Sequence, residues 1–425
     1  MARGGRPSPG RDFGRVWAAF AASALGTGLA FGAFPLLAVT VLHAGAPEVA
    51  SLAAVGAAVG AAVAVPLGPW VEFRRKRPVM IAADLVRCAA LLSVPLAYGL
   101  GRLGFAQLLV VSVVVAAADI TFGAATGAYL KGLVRPEAMV TAQARLESTT
   151  WTATVVGPPL GGALTQLLGP VATVAADAVS YLLSAVSLRA VRHREPPPVR
   201  VAGRPAAQGE ARPRHSLSQG WRHILAHPLL RPLFLHTLLV NGLIMATAPL
   251  LAVLTLGPLG FAPWQYGLAF AVPCLGGLLG ARLAPGLVER FGRRRVLLVA
   301  GTLRVCWPVG LVLVRPGPAG LLLVMGVEFA LITCIGVFNP VFAAHRLRLT
   351  ENGLVARTLT AWSVSGKAVT AGLTALWGGL AGLVGVRGAI GLAGVLLLAT
   401  PLLLPWRRGT RAGRRTQGLT RVTAR

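Results

Sequence analysis

Apolar residues in this chain are grouped into long blocks that short polar segments separate. Twelve such blocks, each of about 20 residues or more, lie at residues 16–42, 49–71, 78–100, 104–130, 148–168, 170–188, 229–256, 262–288, 295–314, 317–343, 358–384 and 386–406. A helix of that length crosses the hydrocarbon core of a membrane. The pattern therefore predicts an all-α membrane protein with twelve transmembrane helices.

The blocks form two related sets of six. A cationic loop occurs at residues 68–77 and again at residues 285–294, 217 positions later, each time between two apolar blocks. Each loop glutamate is followed fifteen residues later by an arginine inside the next block, Arg87 and Arg304. A duplicated membrane bundle is typical of transporters whose halves move about a shared site. The repeat thus predicts two pseudo-symmetric six-helix bundles.

The same pattern divides the chain into four parts. An N-terminal bundle is predicted at 1–190, a cytoplasmic linker rich in arginine and proline at 191–228, a C-terminal bundle at 229–406 and a basic tail at 407–425. Segments of such composition do not bury enough apolar surface to form a core, so the linker is expected to separate the bundles.

Composition supports this assignment and excludes other classes. The 425 residues are 55% hydrophobic and only 13% charged, with a net charge of +28. The cations lie in the gaps between blocks, which favours membrane topology over nucleic-acid binding. One set of loops holds most of them, and the opposite set holds only Arg102, Arg315 and Arg387. The rule that cytoplasmic loops are basic therefore predicts a cell-membrane protein with both termini in the cytoplasm.

Several motifs resemble the major facilitator superfamily over nearly the whole chain. Both cationic loops are similar to its signature Gly-x-x-x-Asp-Arg-x-Gly-Arg-Arg, although glutamate replaces aspartate in each and Pro285 replaces the second leading glycine. Residues 83–87, 157–162 and 177–181 resemble the branch of enterobactin exporters and macrolide efflux pumps. The resemblance implies two six-helix bundles around a central cavity, and export of a small molecule.

The paired loops are candidates for a cytoplasmic gate. Glu72 and Glu289 lie near helix ends beside several cations, so each is predicted to latch the halves by pairing with an arginine and a helix N-terminus. The alternative is that the cations only fix topology. Asp84 and Arg87, three residues apart, are expected to pair within their helix. The predicted gate comprises Gly68, Glu72, Arg77, Asp84, Arg87, Glu289, Arg290, Gly292, Arg293, Arg294 and Arg304.

Three charged residues inside apolar blocks are candidates for proton coupling or for the substrate cavity. They are Asp119, Glu328 and Lys367, the last about ten residues, or roughly 15 Å, into its helix. Charge inside a membrane is usually functional, and a carboxylate in a cavity can exchange a proton with the substrate. A static bridge between Lys367 and either carboxylate is the alternative.

Two further features bear on the helices themselves. Gly157, Pro158, Pro159, Gly161 and Gly162 favour close helix approach and a local bend. In the resembled exporters this element is associated with antiport, although plain packing also explains the glycines. Arg282, near the end of the eighth block, is expected to extend its guanidinium toward the interface.

The leading hypothesis is a secondary active exporter driven by the proton gradient, acting as a monomer on a small amphipathic, drug-like or siderophore-like molecule. A facilitator or lipid flippase without proton coupling, and a membrane sensor that has lost transport, are the alternatives. An intramembrane enzyme is disfavoured because the 13 acidic residues are scattered. The four cysteines lie inside apolar blocks without CxxC spacing, so neither a metal nor another cofactor is expected.

Overall fold

The computed structural model describes residues 9–30, 33–44, 46–193, 195, 218–261 and 263–404. These residues form helices and turns, and no strand occurs among them. The helices are α1 Arg11–Leu29, α2 Ala33–Thr40, α3 Ala46–Glu72, α4 Lys76–Gly99, α5 Phe105–Leu133, α6 Met139–Arg189, α7 Gln219–Ala226, α8 Leu230–Leu256, α9 Pro263–Phe291, α10 Arg293–Cys306, α11 Pro318–Leu349 and α12 Val355–Ala399.

The long helices have the length and composition of membrane spans. Within the described ranges, nine helices are long and apolar enough to cross a membrane, and α3 contributes a shorter apolar segment, Ala58–Glu72. Two of the nine, Met139–Arg189 and Asn352–Leu403, are 51 and 52 residues long. That length is about twice what one crossing requires.

The first of these, α6, folds back on itself at Gly169. This glycine has a φ of 83°, a backbone conformation that residues with a Cβ rarely adopt. The hydroxyl oxygens of Thr165 and Thr173 are only 2.8 Å apart, although eight residues of a straight helix rise about 12 Å. The helix α6 therefore consists of two antiparallel arms that form two crossings.

The helix α12 turns in the same way at Gly385, where φ is 77°. The indole Nε1 of Trp377 donates to the carbonyl oxygen of Ala389 at 3.0 Å, whereas twelve residues of a straight helix rise about 18 Å. Gly169 and Gly385 are 216 positions apart, within one residue of the sequence repeat. With both hairpins and α3 included, the chain makes the twelve predicted crossings.

Helix packing follows the repeat as well. In the first half, α1–α6, the helix α1 packs on α6 and α3 packs on α5; in the second half, α8–α12, the helix α8 packs on α12 and α9 packs on α11. The halves meet along two seams, α6 with α9 and α3 with α12. The predicted fold class, two pseudo-symmetric six-helix bundles, is confirmed.

Many large apolar side chains remain on the outside of the bundle, as expected when lipid replaces water as the solvent. Leu167 is 80% exposed and Leu383 is 86% exposed. Most of the predicted linker, residues 196–217, and the predicted tail, residues 407–425, lie outside the described residues. The proposed domain boundaries therefore stay predictions.

Candidate functional site

A cavity of about 410 Å³ lies between the two halves. Its walls come from α1, α5 and α6 of the first half and from α11 and α12 of the second. Three of its lining residues are ionisable, Asp119, Glu147 and Arg346, and the aromatic rings of Phe20, Phe122 and Trp362 lie beside them. The cavity thus combines the apolar surface and the few polar groups that a small-molecule site needs.

Of the three charged residues predicted for the cavity, Asp119 is the one that lines it, and 64% of its side chain is exposed. Its Oδ1 lies 3.5 Å from Nη1 of Arg87. Arg87 is buried, forms an ion pair with Asp84, and lies 4.2 Å from the ring centroid of Tyr181. The hydroxyl of Ser184 donates to Asp84 Oδ2 at 2.7 Å. Arg87 therefore joins a buried carboxylate to one that lines the cavity.

Glu147 is a cavity residue that the sequence analysis missed. Its Oε1 accepts hydrogen bonds from Trp151 Nε1 at 3.0 Å and from Asn339 Nδ2 at 2.8 Å. Trp151 belongs to the same helix, α6, whereas Asn339 belongs to α11 of the other half. A single carboxylate oxygen is thus held by donors from both halves.

Arg346 also lies outside the predicted apolar blocks, since the tenth block ends at residue 343. The helix α11 continues to Leu349, so Arg346 lies within it and lines the cavity. Its guanidinium carbon lies 4.9 Å from the ring centroid of Trp362 and 5.3 Å from that of Phe342. Its buried Nε has no hydrogen-bond partner. Aromatic faces stabilise this cation in place of a carboxylate.

Glu328 and Lys367 do not line this cavity. Both side chains are partly buried, Glu328 in α11 and Lys367 in α12. Among the described residues neither takes part in an ion pair. The structure therefore contains neither of the static bridges that the sequence left open.

The first cationic loop connects the two halves through Glu72. The buried Glu72 accepts hydrogen bonds at Oε2 from the backbone amides of Ala356, at 2.7 Å, and Arg357, at 3.4 Å. These amides begin α12, so the carboxylate caps a helix N-terminus of the opposite half. The contact with a helix N-terminus is the one expected from the sequence, but Glu72 forms no ion pair with an arginine among the described residues. Arg87 pairs with Asp84, as their spacing predicts, and lies beside Asp119.

Other contacts close the same end of the bundle. We name this the cationic end, defined by the loops at residues 73–75, 134–138, 292 and 350–354. Lys131 Nζ donates to the carbonyl oxygen of Thr350, which links the halves a second time. A Cβ placed on Gly68 would lie 3.0 Å from the hydroxyl oxygen of Thr360, so α3 and α12 are in close contact there. These contacts hold the two halves together at the cationic end.

The remaining residues of the first loop act within the first half. Arg77 Nε donates to the carbonyl oxygen of Leu188 at 2.9 Å, and its Nη2 donates to that of Arg189 at 2.5 Å. Both carbonyls belong to the C-terminal turn of α6, where a cation is favourable. Glu195 accepts from the amides of Lys76 and Arg77 at the start of α4.

The second loop is built differently from the first. Glu289 and Arg290 are exposed, and the side chain of Glu289 forms no hydrogen bond or ion pair with another described residue. Gly292 has a φ of 81° and leads into α10, which starts with Arg293 and Arg294. Arg304 is buried against Phe338, 3.8 Å from its ring centroid, and its Nε and Nη2 have no partner. The geometric latch at Glu72 has no counterpart at Glu289 in this conformation.

The glycines of the predicted antiport element bring two helices together. A Cβ on Gly157 would lie 2.6 Å from the backbone of Gly28, and one on Gly161 would lie 1.9 Å from the carbonyl oxygen of Leu29. A Cβ on Gly162 would meet no atom within 4 Å. Pro158 and Pro159 lie inside α6 without interrupting it. Two of the three glycines are thus required for α1 and α6 to pack backbone against backbone.

Two repeat-related helical bundles that enclose a cavity and contact each other at one end are typical of secondary transporters. Comparison with known families agrees with this class. Residues 16–344 match the sequence model of the Major Facilitator Superfamily, and the chain belongs to this family. It is a membrane-embedded transporter of small molecules and not an enzyme, as predicted.

The structure of this chain is similar to solved structures of several transporters. A bacterial homologue of the iron transporter ferroportin, in an outward-facing state, shares 16% identity and a TM-score of 0.78, with 92% of this chain and 98% of that chain covered. The human organic anion transporter MFSD10 (TETRAN) shares 17% identity and a TM-score of 0.72, with 93% and 99% covered. A variant of the E. coli fucose:proton symporter FucP shares 12% identity and a TM-score of 0.69, with 94% and 98% covered. Comparison with curated protein sequences gives no significant match.

Proposed function

We propose that this transporter is a proton-coupled exporter, an antiporter that moves a small amphipathic, drug-like or siderophore-like molecule out of the cell. The observation that carries the proposal is the cavity between the halves, in which Asp119 and Glu147 lie beside aromatic rings. A carboxylate whose cavity opens alternately to either side can take up a proton on one side and release it on the other. Substrate and proton then compete for one site.

Glu147 has the geometry that coupling requires. Its hydrogen bond from Asn339 crosses between the halves, so this bond breaks when the halves separate at the cationic end. The carboxylate therefore has different partners in the two conformations, and its proton affinity differs between them. Asp119 is held by Arg87 of its own half and is the second proton-binding candidate. Glu328 and Lys367 remain candidates for proton coupling or substrate contact, although neither lines the cavity.

The charge of the loops supports an orientation. Basic loops favour the cytoplasm, so we assign the cationic end and both termini to the cytoplasmic side of the cell membrane. The present conformation would then be closed to the cytoplasm, with Glu72 as the latch. When the latch opens, the cavity faces inward and loads substrate.

Export is supported by the resemblance to enterobactin exporters and macrolide efflux pumps, in particular by residues 157–162. The close packing of α1 on α6 at Gly157 and Gly161 fits the assigned role of this element. Each chain holds a complete cavity, so a monomer is sufficient for transport.

Purified protein in proteoliposomes tests the proposal. A pH-sensitive dye inside the vesicles reports proton movement while a panel of ethidium, erythromycin and enterobactin is added outside. We expect at least one compound to move protons in the direction opposite to its own transport. Asp119→Asn and Glu147→Gln should each abolish this proton movement, and Glu328→Gln tests the third carboxylate.

The matched control is Glu137→Gln, which removes an exposed carboxylate in the loop before α6. It should behave as the wild-type protein does. Transport of a compound at the same rate with and without a pH gradient would show a facilitator. Wild-type proton movement in both Asp119→Asn and Glu147→Gln would contradict the proposed coupling.

A further inference from the structure

A second cavity, of about 720 Å³, lies where α1, α6 and α9 meet. It follows the seam between the halves, because α1 and α6 belong to the first half and α9 to the second. Much of its wall is apolar, including Trp17, Leu25 and Leu278. Trp17 and Leu25 are 38% and 39% exposed, so this face of α1 is accessible to a ligand.

Two arginines face this crevice from opposite halves. Arg145 of α6 and Arg282 of α9 both line it, and both side chains are exposed. No acidic residue is among its lining residues, and neither arginine forms an ion pair among the residues that the structure describes. The crevice is thus an apolar groove with two uncompensated guanidinium groups.

The arginines lie at a depth that suits a lipid headgroup. Arg145 is six residues from the start of α6 and Arg282 is nine residues from the end of α9. By helical rise they lie about 9 and 14 Å from the cationic end. Acyl chains begin at about this depth, and basic pockets between helices bind anionic headgroups there.

Two of the four hydroxyl groups that line the crevice, those of Thr149 and Thr152, already form hydrogen bonds within the protein. Thr149 accepts from Trp17 Nε1 at 2.8 Å and donates to the carbonyl oxygen of Arg145 at 2.9 Å. Thr152 donates to the carbonyl oxygen of Ser148 at 2.9 Å. The crevice therefore offers two charged donors beside an apolar wall, which matches an anionic amphiphile better than an amine.

We propose that this crevice binds one anionic phospholipid. Its phosphate contacts Arg145 and Arg282, and one acyl chain lies along Leu25 and Leu278. Because the two arginines belong to different halves, the bound lipid holds the seam together and favours the conformation that is closed at the cationic end. The proposal does not depend on the direction of transport or on proton coupling.

Native mass spectrometry of the full chain, released from nanodiscs of mixed phosphatidylglycerol and phosphatidylcholine, tests this site. We expect one phosphatidylglycerol to be retained in preference to phosphatidylcholine. The double variant Arg145→Gln/Arg282→Gln should retain about tenfold to thirtyfold less, since each arginine near anionic lipid contributes about a factor of five. Each single variant should show an intermediate loss.

The control is Arg102→Gln/Arg315→Gln, which removes the same charge at the opposite end of the bundle and should leave retention unchanged. The variant Arg145→Lys/Arg282→Lys keeps both positive charges and should retain phosphatidylglycerol as the wild-type protein does. This result would show that the loss in the glutamine variant comes from the missing charge and not from misfolding. Equal retention of the two lipids, or equal loss in the control, overturns the proposal. Displacement of the lipid by millimolar inorganic phosphate alone would identify a simple anion site instead and would also overturn it.

Discussion

The carboxylate of Glu72 and the backbone amide of Ala356, 284 residues apart in the chain, are 2.7 Å from each other. This hydrogen bond joins the last residue of α3 to the first turn of α12. It combines a buried anion with the positive end of a helix dipole, a favourable arrangement that exists only while the halves are together. We therefore predict that Glu72 contributes more to holding this end together than the surrounding loop arginines do.

Replacing Glu72 should open this end. Hydrogen bonds to a charged group contribute about 1.5–3 kcal/mol, so Glu72→Ala should shift the balance between closed and open forms at least about tenfold toward the open one. A cysteine introduced at Ser363, which lines the cavity, should then react faster with a membrane-impermeant maleimide applied at the cationic end. The four native cysteines would first be replaced.

The second loop supplies the control for this experiment. Glu289→Ala removes a carboxylate of the same type and repeat position, but one that is exposed and contacts no helix terminus in this conformation. Its labelling rate should equal that of the parent protein. Equal acceleration by both substitutions would mean that loop charge, not the Glu72 contact, holds the end closed.

The two repeat-related arginines should also differ in their contribution to stability. Arg87 pairs with Asp84 and lies 3.5 Å from Asp119, whereas Arg304 lies over the ring of Phe338 and forms no ion pair among the described residues. Arg87→Gln leaves a buried carboxylate uncompensated and should lower the free energy of unfolding by about 3–5 kcal/mol. Arg304→Gln removes an unpaired buried charge and should cost much less. Thermal unfolding of the purified variants in detergent measures both, and the opposite order would contradict the assignment.

The repeat in the sequence contains the reason for this difference. The positions 217 residues after Asp84 and Asp119 are Gly301 and Gly336, so the second half has no carboxylate at either position equivalent to a partner of Arg87. The repeat thus places Arg87 and Arg304 at equivalent positions, but the residues around them differ. Among the described residues Arg87 has carboxylate partners and Arg304 does not, so the two arginines are equivalent in position and not in their interactions.

Glu147 and Arg346 were missed for a different physical reason. The predicted blocks begin at 148 and end at 343, whereas α6 begins at Met139 and α11 ends at Leu349. Hydropathy detects the part of a helix that faces lipid, but the ends of these helices face a cavity or the other half and carry polar side chains. A search for charged residues within two turns outside each block would have found both.

The glycines of α6 allow a test of the helix contact that needs no knowledge of the substrate. Gly161→Ala would place a Cβ 1.9 Å from the carbonyl oxygen of Leu29, so the helices must move apart. Overpacking of this kind costs about 1–3 kcal/mol, and we expect a lower Tm in detergent. Gly162→Ala, at a neighbouring position with no atom within 4 Å, should leave the Tm unchanged or raise it. An unchanged Tm for both variants would argue against close packing of α1 on α6.

The hydrogen bond between Asn339 and Glu147 should couple the cavity to the gate. Asn339→Ala removes the donor that crosses between the halves, and about 1–3 kcal/mol of closed-state stability should be lost with it. Trp151→Phe removes the other donor to the same oxygen, but that donor lies in the same helix as Glu147. Cavity labelling from the cationic end should therefore rise in Asn339→Ala and stay unchanged in Trp151→Phe.

A double-variant test shows whether Asn339 acts through Glu147. In the Glu147→Ala background, where the acceptor is gone, Asn339→Ala should add little to the labelling rate, because the effects of contacting residues are not additive. Additive effects of the two substitutions on the labelling rate would show that Asn339 acts on the gate without Glu147.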